Sequence, residues 1–528
     1  MSKDQKYILA VDLGTSGPKV ALVSSDGEVI GSDFEPNRLI LLPDGGAEQD
    51  PDDWWTAIMT AAKRLIAKKL VATENITAIC CTAQWAGTVA VDKQGRHLMN
   101  AIIWMDSRGA DYTKRMISGL IKVEGYELFK AIRWLRLTGG APSQSGKDPV
   151  GHILYLQDKH PEICKQTFKF LEPKDYLNLR LTGKFAASYD SITLHWCTDN
   201  RDLSRVHYDD RLISMIGIER DQLPKLKRAV DILGVIKPEV ADQLGLSKSV
   251  QVVMGTPDVQ SAALGSGAVE DYAAHFYIGT SSWLTCHVPY KKTDLLHNMA
   301  SLPSAIPDRY LVGNSQEIAG AAFDFLINNI LFCDDELETG KKPDNVHQIL
   351  CKIASRVPAG SDKLIFTPWL YGERTPVEDA TLRGGFFNQS LKTTREHYAR
   401  AVLEGVAYNA RWLLTYVEKF IKQRLKRIDI IGGGAQSDTW CQIIADVLDR
   451  PVGQVANPIQ ANVRGAGLLG AVSMGYLSFK DIPGRVEIEN TYQPNPANRE
   501  IYDELYDAFL QIYKANKKIY ARLNRTQK

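Results

Sequence analysis

One aspartate stands where α/β proteins put working groups. Residues 250–267 read VQVVMGTPDVQSAALGSG. The apolar run 250–254 predicts a buried strand, Gly255-Thr256-Pro257 break it, and the small residues 261–264 predict a helix. Asp258 sits on the turn between them. A carboxylate at a strand end, on a tight turn into a helix, faces the ligand crevice of an open α/β sheet. Asp is also a favoured helix N-cap, and the local pattern leaves both uses open.

Three further turns suit phosphate or nucleotide. The strand 7–11 ends in Asp12-Leu13-Gly14-Thr15-Ser16-Gly17-Pro18, and the strand 19–23 returns. Such a turn can aim N–H and hydroxyl groups at a phosphate, although Gly and Ser tips are common in hairpins. The tripeptide recurs at Gly279-Thr280-Ser281, between predicted strands 275–278 and 283–288. The two copies lie 265 residues apart in a chain of 528. Two halves that each open with strand, Gly-Thr-Ser turn and strand predict a duplicated domain. The third turn, Gly432-Gly433-Gly434-Ala435, joins a strand at 428–431 to a helix ending near 448. Three glycines let a flat or charged group approach the backbone beside a helix N-terminus; a permissive β–α connection explains them equally well.

Other strands must bring polar ends to the same place. The strand 75–81 runs into Thr82-Ala83-Gln84-Trp85-Ala86-Gly87, and 101–104 into Met105-Asp106-Ser107-Arg108. In a parallel sheet such ends converge on one cleft. Asp50-Pro51-Asp52 marks a helix start, and residues 498–524 a closing amphipathic helix. Two stretches mimic nucleotide motifs. GGAPSQSGKDP at 139–149 has Ala141 where a P-loop needs glycine and Asp148 after Lys147, so it is read as an ordinary mobile loop. Gly465 to Gly470 match GxGxxG, but they fall inside a predicted helix, where small residues serve close packing.

The length predicts two or more domains. A net charge of +1 gives no electrostatic case for nucleic acid or membrane surfaces. No run reaches the ~18 apolar residues of a membrane span. The basic end, 514–528, reads as a solvated helix end. The eight cysteines include no CxxC, and Cys80 and Cys81 lie in an apolar run. A reduced, cytoplasmic protein without a zinc ribbon or a disulfide framework is expected.

Taken in order, these pieces resemble the FGGY family of carbohydrate kinases, most closely its xylulokinase branch. DLGTSGPKV is similar to the family's first phosphate loop, TAQWAG and WMDSR to its sugar-site segments, and GTPDVQSAALGSG to the segment with the catalytic Asp. YIGTSS is similar to its second phosphate loop, GGGAQSDTWCQIIADVL to its nucleotide segment, and REHYARAVLEGVAY to its C-terminal signature. The resemblance implies two RNase H-like α/β domains of the actin, hexokinase and Hsp70 ATPase type flanking a deep catalytic cleft. The expected domains are 1–257 and 258–528. It implies ATP and Mg2+, a small-molecule sugar substrate and a homodimer as the family's common state. It implies Asp258 as general base and Asp12 as the metal residue. Thr15, Ser16, Lys19, Gly279, Thr280 and Ser281 would face the phosphates, and Gly433, Gly434 and Ala435 the adenosine. Gln84, Trp85, Trp104, Asp106, Arg108 and Asp258 would meet the sugar. For Lys19, a surface-strand position is the alternative.

The expected reaction is phosphorylation of D-xylulose at its 5-hydroxyl. Several departures bear on the sugar. Gln84 is followed by Trp85-Ala86-Gly87 where familiar bacterial xylulokinases carry Met-His-Gly, and Val259 stands where Asn often follows the base. Trp85 would stack on a sugar face or narrow the pocket. Asn388 stands at an expected Gly, and Tyr155 at an expected Trp. The alternatives are another ketose or a polyol, such as ribulose or L-xylulose, or a non-catalytic nucleotide- or sugar-binding regulatory member. An actin- or Hsp70-like ATPase with a protein client leaves the sugar-site segments unexplained.

Overall fold

The computed structural model describes residues 5–333, 335 and 340–524. The first sheet has six strands: β1 (Tyr7–Gly14), β2 (Gly17–Ser24), β3 (Val29–Phe34), β4 (Ile76–Ala83), β5 (Ile232–Val235) and β6 (Gln251–Val253). Their spatial order is β5-β6-β4-β1-β2-β3. The second has eight: β7 (Ala274–Ile278), β8 (Ser282–Val288), β9 (Thr293–Asp294), β10 (Met299–Pro303), β11 (Tyr310–Gly313), β12 (Ile428–Ile431), β13 (Val452–Val455) and β14 (Ile488–Tyr492). Their order is β9-β10-β11-β8-β7-β12-β13-β14.

The two sheets repeat one pattern. An antiparallel hairpin (β1–β2, β7–β8) is followed by two parallel neighbours (β4 and β6, β12 and β13) and an antiparallel strand (β5, β14). The duplication expected from the paired Gly-Thr-Ser turns is thus present in the topology. Both turns are the tips of equivalent hairpins.

The helices that matter for the site are α1 (Pro51–Ala67), α2 (Asp258–Gly265), α3 (Arg395–Ile421), α4 (Asp438–Leu448), α5 (Ala461–Ser473) and α6 (Arg499–Asn524). Local chemistry explains several starts. Asp50 accepts the Asp52 N–H at 2.8 Å and Pro51 takes the first helical position of α1. Ser437 caps α4 at the Trp440 N–H, and Thr394 with His397 forms a capping box on α3.

Strand alternation divides the first core. Leu9, Val11 and Leu13 pack with Trp54, Ile58 and Leu65 of α1. Ile8 and Ala10 point the other way, into a core shared with Ala262 and Leu264 of α2 and with Ala466, Leu468 and Leu469 of α5. So a helix from the far half of the chain covers the first sheet. The GxGxxG stretch makes this contact, as expected of a packing motif. A Cβ on Gly465 would stand 1.8 Å from the Ser261 carbonyl oxygen, and one on Gly265 1.7 Å from that of Ala461. The second core is built on α3, which packs with α4 and α6.

The segment 139–149 differs from expectation. Gly146 is buried, Lys147 lies 3.7 Å from Glu317, and Asp148 accepts the Trp196 indole N–H at 2.7 Å. Thr293 reaches back to the Gly139 carbonyl at 2.5 Å. The stretch is packed between the two halves rather than free, because its partners are far away in sequence. Asn388 has φ +67°, a left-handed backbone that explains why glycine suits the position and why Asn is tolerated. All eight cysteines are free, and Cys80 and Cys81 are buried. Among the described residues no helix is long and apolar enough to cross a membrane.

Candidate active site

Alternation along β1 puts Asp12 on the same face as Ile8 and Ala10, toward α5. On β2, Lys19 shares that face with Ala21 and Val23, and it is the direct cross-strand neighbour of Asp12. Burial lifts the Asp12 carboxyl to about 6, against the opposing pull of Lys19 and the Asn462 side chain. Its Oδ1 is buried without a hydrogen-bond partner. Burial also lowers the Lys19 pKa, with Asp12 opposing. Lys19 is half-buried, not a surface residue, and its Nζ donates to the Ile459 carbonyl at 2.6 Å. Ile459 and Asn462 flank the start of α5, so the second half meets the first at this carboxylate.

Asp258 is the first residue of α2, directly after the turn that ends β6. It does not cap the helix: Pro257 is the capping position, and the Asp258 Oδ1 accepts the adjacent Val259 N–H at 2.8 Å. Gly255 makes the turn with φ +70°, and a Cβ there would strike the Cys81 carbonyl at 2.0 Å. Burial, and after it the charge of Asp12, push the Asp258 carboxyl up to about 7. The two carboxylates therefore share one electrostatic site. An orphan buried carboxylate oxygen beside a second carboxylate is a donor set that fits a hard divalent cation such as Mg2+, with Asp12 as its anchor.

The first turn holds the two strand-end segments expected to meet the sugar. Thr15 Oγ1 donates to Gln84 Oε1 at 2.9 Å and accepts the Trp104 indole N–H at 2.9 Å. Gln49 completes the unit: its Nε2 donates to the Thr15 carbonyl at 2.7 Å, and its Oε1 accepts from Gln84 and from Trp54. Thr15 is thus engaged in positioning, while Ser16 at the tip is exposed. Asp106 is buried, accepting the Ala47 N–H at 2.9 Å and pairing with Arg108 at 2.7 Å. Arg108 also pairs with Glu48 at 2.6 Å and lies over the Tyr155 ring, 4.6 Å from its centre. This pair clamps the WMDSR turn. Trp85 donates its indole N–H to the Ser191 carbonyl at 2.9 Å.

The second turn and the glycine triad lie side by side, because β7 and β12 are parallel neighbours. The Thr280 carbonyl accepts from Ala319 N–H at 2.9 Å and that of Gly279 from Gly320 N–H at 2.7 Å. Thr280 is exposed and Ser281 half-exposed. Gly433 is open, since a Cβ there would meet nothing within 4 Å, whereas one on Gly434 would meet Ile278 at 2.5 Å. The Ala435 side chain is buried in the second core. Tyr277, stacked on Trp283 with ring centres 4.0 Å apart, sits beneath the second turn.

Gln49, Asn462 and Tyr277 are not legible in the sequence as site residues. Each is a lone polar or aromatic residue whose role comes from what folds against it.

Two models of one family match the sequence: the N-terminal domain of the FGGY family of carbohydrate kinases over residues 7–265 and its C-terminal domain over 275–474. The chain belongs to the FGGY family of carbohydrate kinases. It is a sugar kinase, of a family that uses ATP as phosphate donor. A xylulose kinase of Staphylococcus epidermidis is 29% identical over 534 residues, which cover 98% of this chain and 99% of the relative. A gluconokinase of Bacillus licheniformis is 25% identical, covering 99% of this chain and 98% of its own. Among solved structures, a gluconate kinase from Lactobacillus acidophilus superposes with a TM-score of 0.86 at 26% identity, covering 98% of this chain and 100% of that one. A ligand-bound xylulose kinase from the same organism gives 0.85 at 26% identity, with the same coverage.

Proposed function

We propose that this kinase phosphorylates a ketopentose, D-xylulose at its 5-hydroxyl, with Asp258 as general base. The observation that carries the proposal is the pairing of Asp258 with Asp12 at the strand ends of one sheet, below the first Gly-Thr-Ser turn. A base of ordinary carboxylate acidity is a weak proton acceptor; burial brings Asp258 to about 7, near the optimum for accepting a hydroxyl proton at neutral pH. Gln84 and Trp104, their polar atoms bonded to Thr15 and Gln49, would shape the wall on the sugar side. Ser16, Thr280 and Ser281 offer hydroxyl and N–H groups for phosphate oxygens, Lys19 a cation beside Asp12, and Gly433 open backbone for the nucleoside. Asp12 would hold Mg2+, which when bound neutralises phosphate charge. The protein's part is then positioning and exclusion of water.

Gluconate is the second reading. It is favoured by the gluconokinase relatives and by the gluconate kinase superposition. Ala86 stands where familiar bacterial xylulokinases carry the histidine of Met-His-Gly, so that mark of the ketose branch is missing.

The test is sugar-dependent ADP release with detection of the sugar phosphate. The panel holds D-xylulose, D-ribulose, L-xylulose, xylitol, glycerol and gluconate, with Asp258→Asn run beside the wild type. Transfer to D-xylulose that collapses in the variant supports the proposal. Preference for gluconate replaces the substrate, transfer that survives in Asp258→Asn removes the base, and tight ATP binding without transfer to any sugar favours a non-catalytic member.

A further inference from the structure

The segment Glu172-Pro173-Lys174-Asp175 opens the helix Pro173–Thr182. Nothing in its sequence marks it for the site. Glu172, Lys174 and Asp175 are each 1% exposed or less. Glu172 Oε2 accepts the Gly87 N–H at 2.9 Å, so it holds the turn that follows Gln84. On the other side Lys174 Nζ donates to the Met254 carbonyl at 2.9 Å, joined there by Asn178 Nδ2 at 2.7 Å. Met254 lies just past the end of β6 and leads through the Gly255 turn to Asp258. Nearby, Asp190 accepts the Thr256 hydroxyl, Lys174 pairs with Asp175, and Asp175 accepts the Ser191 hydroxyl at 2.7 Å.

Burying a lysine and several carboxyl groups is expensive, and apolar residues of like volume would usually stabilise a core as well. What these groups supply instead is hydrogen bonds to the Gly87 N–H and the Met254 carbonyl, backbone groups that burial obliges to find partners. Here that backbone comes from two turns on different strands, β4 and β6. Both are tied to one helix start, within three residues of each other.

We propose that Glu172 and Lys174 are positioning residues that fix the separation between the sugar-site turn and the turn carrying Asp258, Glu172 acting through Gly87 and Lys174 through Met254. The inference rests on the kinase reading above. It assigns the two residues different consequences, because each touches only one of the turns. Glu172 governs how the sugar sits, and Lys174 where the base stands. Burial pushes Glu172 above the ordinary carboxylate range, and Gln keeps an acceptor oxygen without the charge.

The experiment is steady-state kinetics with the best sugar, paired with hydrogen exchange that needs no turnover. Glu172→Ala is expected to raise the sugar KM about tenfold with kcat little changed, and Glu172→Gln, which keeps the acceptor for Gly87, to restore it. Lys174→Met is expected to lower kcat about 10²-fold, the scale of an ångström-sized misplacement, with KM little changed. Lys174→Arg recovers part of the loss. In exchange, Glu172→Ala loosens residues 84–88 and Lys174→Met residues 254–260, each leaving the other turn protected. If both variants move the same kinetic parameter by the same factor, or if exchange rises throughout the helix Pro173–Thr182, the residues merely support the core and the proposal is overturned. A wild type that transfers to no sugar defeats the kinase reading alone; the exchange pattern still decides whether the two turns hang separately on this helix.

Discussion

Asp258 shows what a residue gains and costs by its setting. Its carboxyl is neutral in both folded and unfolded chains below about 4, and charged in both above about 7. Between those values the folded state binds the extra proton, so stability falls as pH rises through this window. Asp258→Asn is therefore expected to melt higher than wild type at pH 8, with the gain vanishing toward pH 4; equal melting temperatures at pH 8 would contradict the burial of the charge. The same variant is expected to lose roughly 10²–10⁴ in kcat. In the wild type, kcat/KM for the sugar is expected to fall as pH drops through about 7, and a flat profile from 5 to 8 would place the base elsewhere. At this scale the sequence is most legible where chemistry is local. Asp258 and both Gly-Thr-Ser turns stand out by residue type at strand ends, but the local pattern leaves each a structural use as well, and the role expected of Asp12 comes from the family resemblance. Gln49 and Lys174 do not stand out, since one joins Thr15 to Gln84 and the other reaches a carbonyl eighty residues away.

Among the elements, α2, which begins with Asp258, packs tightly on α5. The two helices meet at backbone distance through Gly265 and Gly465. Gly465→Val is expected to cost about 2–3 kcal/mol in urea unfolding, as overpacking does, and to lower kcat more than it changes KM, because α2 begins with Asp258. Unchanged stability would mean that the helices part freely. A milder case is Asn388, in left-handed backbone. Asn388→Gly is expected to be nearly neutral, and Asn388→Val to lose about 1–2 kcal/mol in the same assay. The GxGxxG stretch is legible as packing because it lacks a preceding strand and falls within helical periodicity. The burial of 139–149 is not legible, because loop composition says nothing of Glu317 or Trp196, which hold it in place.

For the whole molecule, the two halves meet along α5, at Lys19 and Ile459, and through Lys147 and Glu317. A sugar kinase must keep water from the phosphate it transfers, and closure of two lobes is the usual means. Small-angle scattering is expected to show a smaller radius of gyration with sugar and a non-hydrolysable ATP analogue together than with neither. No change would argue for a site already closed. The repeated strand order is legible only as two matching tripeptides; that the second half covers the first is not, because nothing in 461–473 names the sheet it will lie on. That cover governs how the chain is made. The first sheet has its last strand once residue 253 has left the ribosome, but its covering helix ends at Ser473. At about 5–20 residues per second, translation leaves Ile8, Ala10, Ala21 and Val23 uncovered for roughly 10–45 s. During that interval the nascent first half exposes the apolar face that α5 will cover.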